Sequence, residues 1–492
     1  MRTDFNSTCF VKPKPEAHLN LNLFLFLNLF LNFHETFPYF ATHQSFNGMY
    51  RHEQVSFILY WFYQFYKLLV RISFPAYFGK VVIVNKEKLH LDGPCLLVSN
   101  HPNTMIDPLF VASRSGRVMF FLANASLYKH PFTNWFFSTF YCIPIERPQD
   151  TGGKPLNNDA SFARCNEFLT KGGCLYIAPE GSSYMERRLR DVKSGTARIG
   201  FSAEQANDFK LGLKIMPFGL TYSQPHRFGC DVVIHVGDPI PVAGFQDAYQ
   251  QDAAEAIRDL TDHMEQQIRS LMVDIPKDIE EKTIRQLELM QQNEYDGEVL
   301  TSYFRSRDLV SRLSQLKSQN EDNFLKLFEQ VTEYFDKTHD EGIKDVDIKM
   351  SQKSNYYTIF KYIFWQIIEF PIFVFGLINN LLAVGIPLLV IRIVKPYIGY
   401  YTTFKVLVGM LTFPLFYYLQ TRWLMNWLHE SGWLIAVFYL LLTFSSLYII
   451  HPYINRFQGL RSALRINRLK LKFPEKVIGL RESREQILAQ IL

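Results

Sequence analysis

The chain has no G-x-S-x-G turn, no Cys-x-x-Cys pair and no long block of one charge sign. Without the strand-to-helix serine elbow, an acyl-enzyme on serine has no support. The six cysteines (Cys9, Cys95, Cys142, Cys165, Cys174 and Cys230) are spread over 492 residues. A disulfide framework or a thiolate metal site is therefore not indicated. Cys95, Cys142 and Cys174 stand in apolar runs and read as buried, reduced thiols. The net charge of +5 is a small excess of 52 basic over 47 acidic residues. That is too weak and too scattered for a nucleic-acid surface, and suits a local patch facing anionic lipid better.

What the chain has in excess is aromatic side chains, 15% of residues, with 44 phenylalanines. Such a share points to a bilayer as partner. Residues 1–48 contain the run LNLNLFLFLNLFLNF, whose asparagines spoil a membrane span and which no small-x-small cleavage site follows. This segment reads as an over-extended gene start with Met49 as the first functional residue. Residues 49–79 hold an apolar, aromatic stretch with Lys67 and Arg71 inside it, expected to lie in or against a membrane surface.

Residues 80–275 alternate short β-rich runs with helical ones, the pattern of an α/β domain with a mixed sheet flanked by helices. Residues 276–355 are polar with helical periodicity and read as a helical linker or small helical domain with solvated charges. Residues 356–452 carry a C-terminal transmembrane region. It has three candidate helices, or four if the stretch broken by Pro371 and Pro387 is a bent hairpin. Residues 453–492 form a basic tail with Arg456, Arg461, Arg465, Arg468, Lys470 and Lys472, cytoplasmic by the positive-inside rule. A catalytic domain on the same cytoplasmic face favours an even number of crossings.

Chemistry concentrates at strand ends. After the run Cys95–Ser99 comes Asn100-His101-Pro102-Asn103-Thr104-Met105-Ile106-Asp107-Pro108. Six positions on one straight helix turn His101 and Asp107 away from each other. Two local arrangements reunite them. Asp107 caps a helix with Pro108 in its first turn and His101 in the preceding loop, or a helix from Pro102 bends at Pro108. An imidazole held by a carboxylate is a general base near neutral pH. A capping aspartate beside an incidental histidine is the plain alternative. A second block, Ile143-Pro144-Ile145-Glu146-Arg147, ends in arginine. The third runs Pro179-Glu180-Gly181-Ser182-Ser183 and on to Arg187, Arg188, Arg190 and Lys193. Glycine, hydroxyls and cations at a strand end suit an anion such as phosphate. The fourth is Ile215-Met216-Pro217-Phe218-Gly219, whose proline argues a strand-end or edge position.

These four blocks in this order resemble the glycerol-phosphate and lysophosphatidate acyltransferase superfamily, over about Lys80 to Met272. Five residues separate His101 from Asp107, where the commoner pattern has four. Ser183 stands where that pattern has arginine. Both features are similar to the glycerol-3-phosphate / dihydroxyacetone-phosphate acyltransferase branch. The resemblance implies that His101 deprotonates an acceptor hydroxyl and Asp107 orients it. It implies that Arg147, Glu180, Gly181, Ser182 and Lys193 bind glycerol 3-phosphate, with Arg187 or Arg188 as substitutes. No metal or other cofactor is implied, the acyl donor being a co-substrate, acyl-CoA or acyl carrier protein. The expected activity is O-acylation of glycerol 3-phosphate, with dihydroxyacetone phosphate as a further acceptor and 1-acylglycerol 3-phosphate as the alternative one. From other classes come a metal-dependent hydrolase using His101 and Asp107, which lacks further clustered ligands, and a membrane scaffold or transport protein without catalysis. Glu369 and Arg392 are the main charges inside the apolar helices.

Overall fold

The computed structural model describes residues 56–89, 91–147, 150, 155–295, 297–351, 356–429 and 432–491. The reading of residues 1–48 lies outside these. The chain forms two compact units, one of Tyr39–Ile275 with Val394–Leu407, the other including Pro276–Ile393 and Val408–Leu492.

In the first unit the strands are β1 (Val81–Val84), β2 (Cys95–Ser99), β3 (Met119–Asn124), β4 (Cys142–Ile145), β5 (Cys174–Ile177), β6 (Lys214–Tyr222), β7 (Val232–Val236) and β8 (Ile240–Pro241). They form one sheet in the order β1-β7-β6-β2-β5-β3-β4, with β8 on β6. The neighbours β6, β2, β5, β3 and β4 are parallel; β7 and β8 run antiparallel to β6. Strands β2 and β5 are buried along their whole length, as a doubly covered parallel sheet requires. The helices are α1 (Phe57–Tyr77), α2 (Ile106–Arg114), α3 (Pro131–Thr139), α4 (Asp159–Thr170), α5 (Gly195–Gln205), α6 (Gln246–Gln251) and α7 (Ala253–Ser270). Leu96, Val98, Leu175 and Ile177 of the sheet pack with Leu169 of α4, Phe201 of α5 and Leu260 and Met264 of α7 in one core. On the other face Phe74 of α1 meets Phe110 of α2, ring centroids 4.5 Å apart, and Phe110 lies near Tyr222 of β6.

Helix α1 has two different faces. Tyr60, Tyr63, Val70 and Phe74 are buried, while Phe57, Ile58, Phe65 and Ile72 are exposed. Its charges turn inward: Lys67 Nζ donates to the Ser115 carbonyl and Arg71 Nε to the Ser113 carbonyl at 2.9 Å. Both groups therefore serve the carbonyl end of α2, where cations are favoured. The exposed face of α1 is left apolar.

Pro217 corrects the edge or strand-end expectation. It sits inside β6, opposite Val98 of β2. Its carbonyl accepts from Gly237 N–H at 2.9 Å on the other side. Within a strand a residue's N and C=O face the same neighbour. The missing donor of Pro217 thus falls where pairing changes from β8, at Lys214 and Ile215, to β7, from Phe218 onward, and no ladder bond is lost.

The second unit contains α8 (Glu281–Glu294), α9 (Val299–Gln319), α10 (Glu321–Asp340), α11 (Asp345–Met350), α12 (Tyr356–Val394), α14 (Trp433–Lys472), α15 (Pro474–Ile491) and most of α13 (Tyr401–Trp427). Residues 276–351 are helical, with Leu287, Leu313, Leu327, Val331 and Ile348 buried. The basic tail is almost entirely helical. α14 runs on through its first part, and α15 packs against α10 by way of a buried ion cluster. There Arg484 bonds Asp345 at 2.9 Å and Glu294 at 3.0 Å, and Tyr334 donates to Asp345 at 2.6 Å.

Among the described residues three helices are long and apolar enough to cross a membrane. The hairpin alternative is corrected: α12 is one helix of 39 residues with Pro371 and Pro387 inside it. At 1.5 Å per residue it is about 58 Å long, against a hydrocarbon core of about 30 Å. Its polar side chains are satisfied by neighbouring helices. Tyr417 donates to Asn380 Oδ1 at 2.7 Å, Asn380 Nδ2 donates to Ser446 Oγ at 3.1 Å, and Glu369 pairs with Arg456.

Candidate active site

Three of the four blocks picked out by sequence leave the carboxyl ends of the parallel strands β2, β5 and β4, with β3 lying between the last two. Parallel strands end on one edge, so the three loops meet there, the usual crevice for ligands in an α/β sheet.

The first loop begins with Asn100, whose side-chain amide extends the sheet. Its Nδ2 donates to the Leu220 carbonyl at 2.8 Å and its Oδ1 accepts from Leu220 N–H at 2.7 Å. His101 follows in the loop, and α2 starts at Ile106, so Asp107 lies one residue inside the helix rather than capping it. The loop folds the two together: His101 Nδ1 is 3.0 Å from Asp107 Oδ2. The same oxygen accepts from Asn103 N–H at 2.7 Å, and Oδ1 accepts from the Tyr222 hydroxyl at 2.6 Å. Asp107 is fully buried and the His101 side chain is 17% exposed. A carboxylate only accepts, so Nδ1 carries the ring proton and Nε2 is left as the basic nitrogen. Burial, and then Asp107, drive the Tyr222 phenol well above its ordinary value, so it stays a donor.

Glu180 holds this loop from below. Its Oε1 accepts from His101 N–H at 2.8 Å and its Oε2 from Arg190 N–H at 3.1 Å. Burial raises its pKa, and these two backbone donors pull the other way. Both oxygens thus face protein backbone, which places Glu180 as a support of the His101 loop. Gly181 follows at φ +72°, a left-handed conformation that favours glycine. Its carbonyl accepts from Arg147 Nη1 at 2.9 Å, and Ser182 Oγ lies 3.3 Å from the same nitrogen. Arg147 also makes a two-pronged pair with Asp150, at 2.6 and 3.1 Å, and holds that carboxyl below its ordinary range. The Lys193 side chain is exposed, and its N–H donates to the Pro179 carbonyl at 2.9 Å. Arg188 and Arg190 both pair with Glu186, at 2.9 and 2.8 Å.

Sequence reading missed the contacts of several residues here. Ser183 Oγ accepts from Thr104 N–H at 3.1 Å, linking the first loop to the third. Thr104 has φ +40°, an outlier for a β-branched residue, costing about 1–3 kcal/mol that the surroundings must offset. Tyr222 gave no local signal, since it is simply the last residue of a strand. Among the described residues no group of three or more His, Cys, Asp and Glu side chains gathers as a metal site.

This site sits in a domain of a known class: residues 80–221 match the family model described as Acyltransferase. The chain carries an acyltransferase-family domain. Over 87 residues it is 30% identical to glycerol-3-phosphate O-acyltransferase 1 of Saccharomyces cerevisiae, covering 18% of this chain and 11% of that one. Over 159 residues it is 28% identical to the chloroplastic 1-acyl-sn-glycerol-3-phosphate acyltransferase of Arabidopsis thaliana, covering 31% of this chain and 42% of that one. The matched stretch thus spans less than half the length of either relative. The crystal structure of the 1-acyl-sn-glycerophosphate acyltransferase of Thermotoga maritima is 15% identical, with a TM-score of 0.32 over 51% of this chain and 96% of that one.

Proposed function

We propose that the chain is a membrane-bound O-acyltransferase that moves a fatty acyl group from a thioester to glycerol 3-phosphate, with dihydroxyacetone phosphate as a further acceptor. One observation carries the reading: an imidazole at the crevice edge whose Nδ1 is committed to a buried carboxylate. His101 Nε2 takes the proton of the acceptor hydroxyl as its oxygen attacks the thioester carbonyl. The tetrahedral intermediate collapses, the C–S bond breaks, and the thiolate leaves with the proton returned by the imidazolium. Asp107 fixes the ring tautomer and stabilises the imidazolium as it forms. Arg147, Ser182 and Lys193 lie around Gly181, where a phosphate would meet two cations and a hydroxyl.

The five-residue spacing and Ser183 favour glycerol 3-phosphate over 1-acylglycerol 3-phosphate. The relative named for the latter keeps it as the second reading. The donor is acyl-CoA or acyl carrier protein, the bilayer takes up the product, and the catalytic domain lies on the cytoplasmic face. The test supplies a labelled acyl thioester to detergent-solubilised protein with each of the three acceptors in parallel. Label in a monoacyl product from glycerol 3-phosphate supports the reading. Label only in phosphatidate moves the acceptor to 1-acylglycerol 3-phosphate. No transfer returns the chain to the scaffold or transport alternative.

A further inference from the structure

Residues 394–407, which join two helices long enough to cross a membrane and include the start of α13, belong to the same compact unit as the candidate active site. They are bonded to its loops at five points. Thr104 Oγ1 donates to the Gly399 carbonyl at 3.1 Å and lies 2.9 Å from Thr403 Oγ1. Thr402 Oγ1 donates to the Pro225 carbonyl at 2.6 Å, the oxygen that also accepts from Asn103 Nδ2 at 3.1 Å. Lys405 Nζ donates to the His226 carbonyl at 2.7 Å, and Tyr397 Oη accepts from Met185 N–H at 3.1 Å. Thr104, Thr402 and Thr403 are buried.

The two Thr104 contacts fall on the loop that sets the His101 geometry. Thr402 reaches that loop through the Pro225 carbonyl shared with Asn103, and Met185 follows Tyr184, whose N–H donates to the His101 carbonyl at 3.3 Å. The loop's entry is fixed by Asn100 and Glu180. Its exit passes through Thr104, whose left-handed backbone is strained and needs outside support. The side chain of Thr104 finds that support in Gly399 and Thr403. The geometry points to Thr403 and Tyr397 as positioning residues of the reaction: the turn after α12 and the first turn of α13 hold the His101 loop in its productive shape. This inference rests on the acyl-transfer reading of the same site.

The test uses the full chain in detergent. Thr403→Val keeps the shape and removes the hydroxyl, and Thr403→Ser restores it. Tyr397→Phe, at a side chain 49% exposed, loses one acceptor with little risk to folding. Loss of one such hydrogen bond is expected to lower kcat by about three- to tenfold. KM for the acceptor should stay within about twofold, because a positioning loss acts on the transition state. Thr403→Ser should recover most of the rate. Wild-type kcat in both Thr403→Val and Tyr397→Phe overturns the inference, as does an equal loss in Thr403→Ser. His101→Ala, run beside them, separates the two claims: if it is inactive while the others are unimpaired, the acyl-transfer reading stands and only the positioning role falls.

Discussion

Tyr222 and Asp107 meet across the domain, the phenol at the end of β6 donating to the carboxylate of α2 at 2.6 Å. The bond closes the back of the His101–Asp107 pair, and both partners are buried. Hydrogen bonds to charged groups contribute about 1.5–3 kcal/mol. Tyr222→Phe should therefore lower stability by about that much and reduce kcat, with KM less affected. Thermal melts and steady-state kinetics on the same preparation check this.

Glu180 makes stability depend on pH. Its pKa is raised in the folded protein, mainly by burial, so the fold binds that proton more tightly than the unfolded chain does. The contribution is full below the ordinary carboxylate value and is lost as pH rises through the raised one. The stability of wild type relative to Glu180→Gln should fall across that window. Melting temperatures of both proteins from pH 4 to 8 measure it, and a wild type that gains stability relative to the variant as pH rises contradicts the assignment.

Arg147 is shared between Gly181 and Asp150. If it meets the acceptor phosphate, Asp150 competes for it. Arg147→Ala should raise the acceptor KM about tenfold or more, and Asp150→Asn should lower it by a few-fold. Kinetics at varied glycerol 3-phosphate decide, and an unchanged KM in both variants removes Arg147 from the phosphate site.

Asn380 joins three apolar helices, accepting from Tyr417 and donating to Ser446. Polar contacts of this kind between membrane helices contribute about 0.6–2 kcal/mol each. Asn380→Leu should lower the melting temperature in detergent while leaving KM for the soluble acceptor unchanged.

The sheet and the His101–Asp107 pairing were legible because both are local. β-rich runs and helical periodicity mark the elements, and Pro108 marks the helix start to within two residues. Pro217 was misplaced because its harmless donor position depends on where β8 gives way to β7, which no short window shows. Glu180 was read as binding or positioning the acceptor because it sits in a loop with phosphate-binding chemistry; that its oxygens accept from the backbone of His101 and Arg190 was not legible. Tyr222, Thr402 and Thr403 carried no signal at all. They are about 115 to 300 residues from their partners, and only the folded chain brings them close. The docking of the tail was not legible because the acidic partners of Arg484 lie in helices far upstream.

The central claim is that His101 Nε2 is the base for acyl transfer. The direct measurement is kcat for acyl transfer to glycerol 3-phosphate in wild type and His101→Ala, on folded protein of matched melting temperature. The account predicts a loss of about 10²–10⁴-fold in the variant. A variant that turns over at the wild-type rate contradicts it.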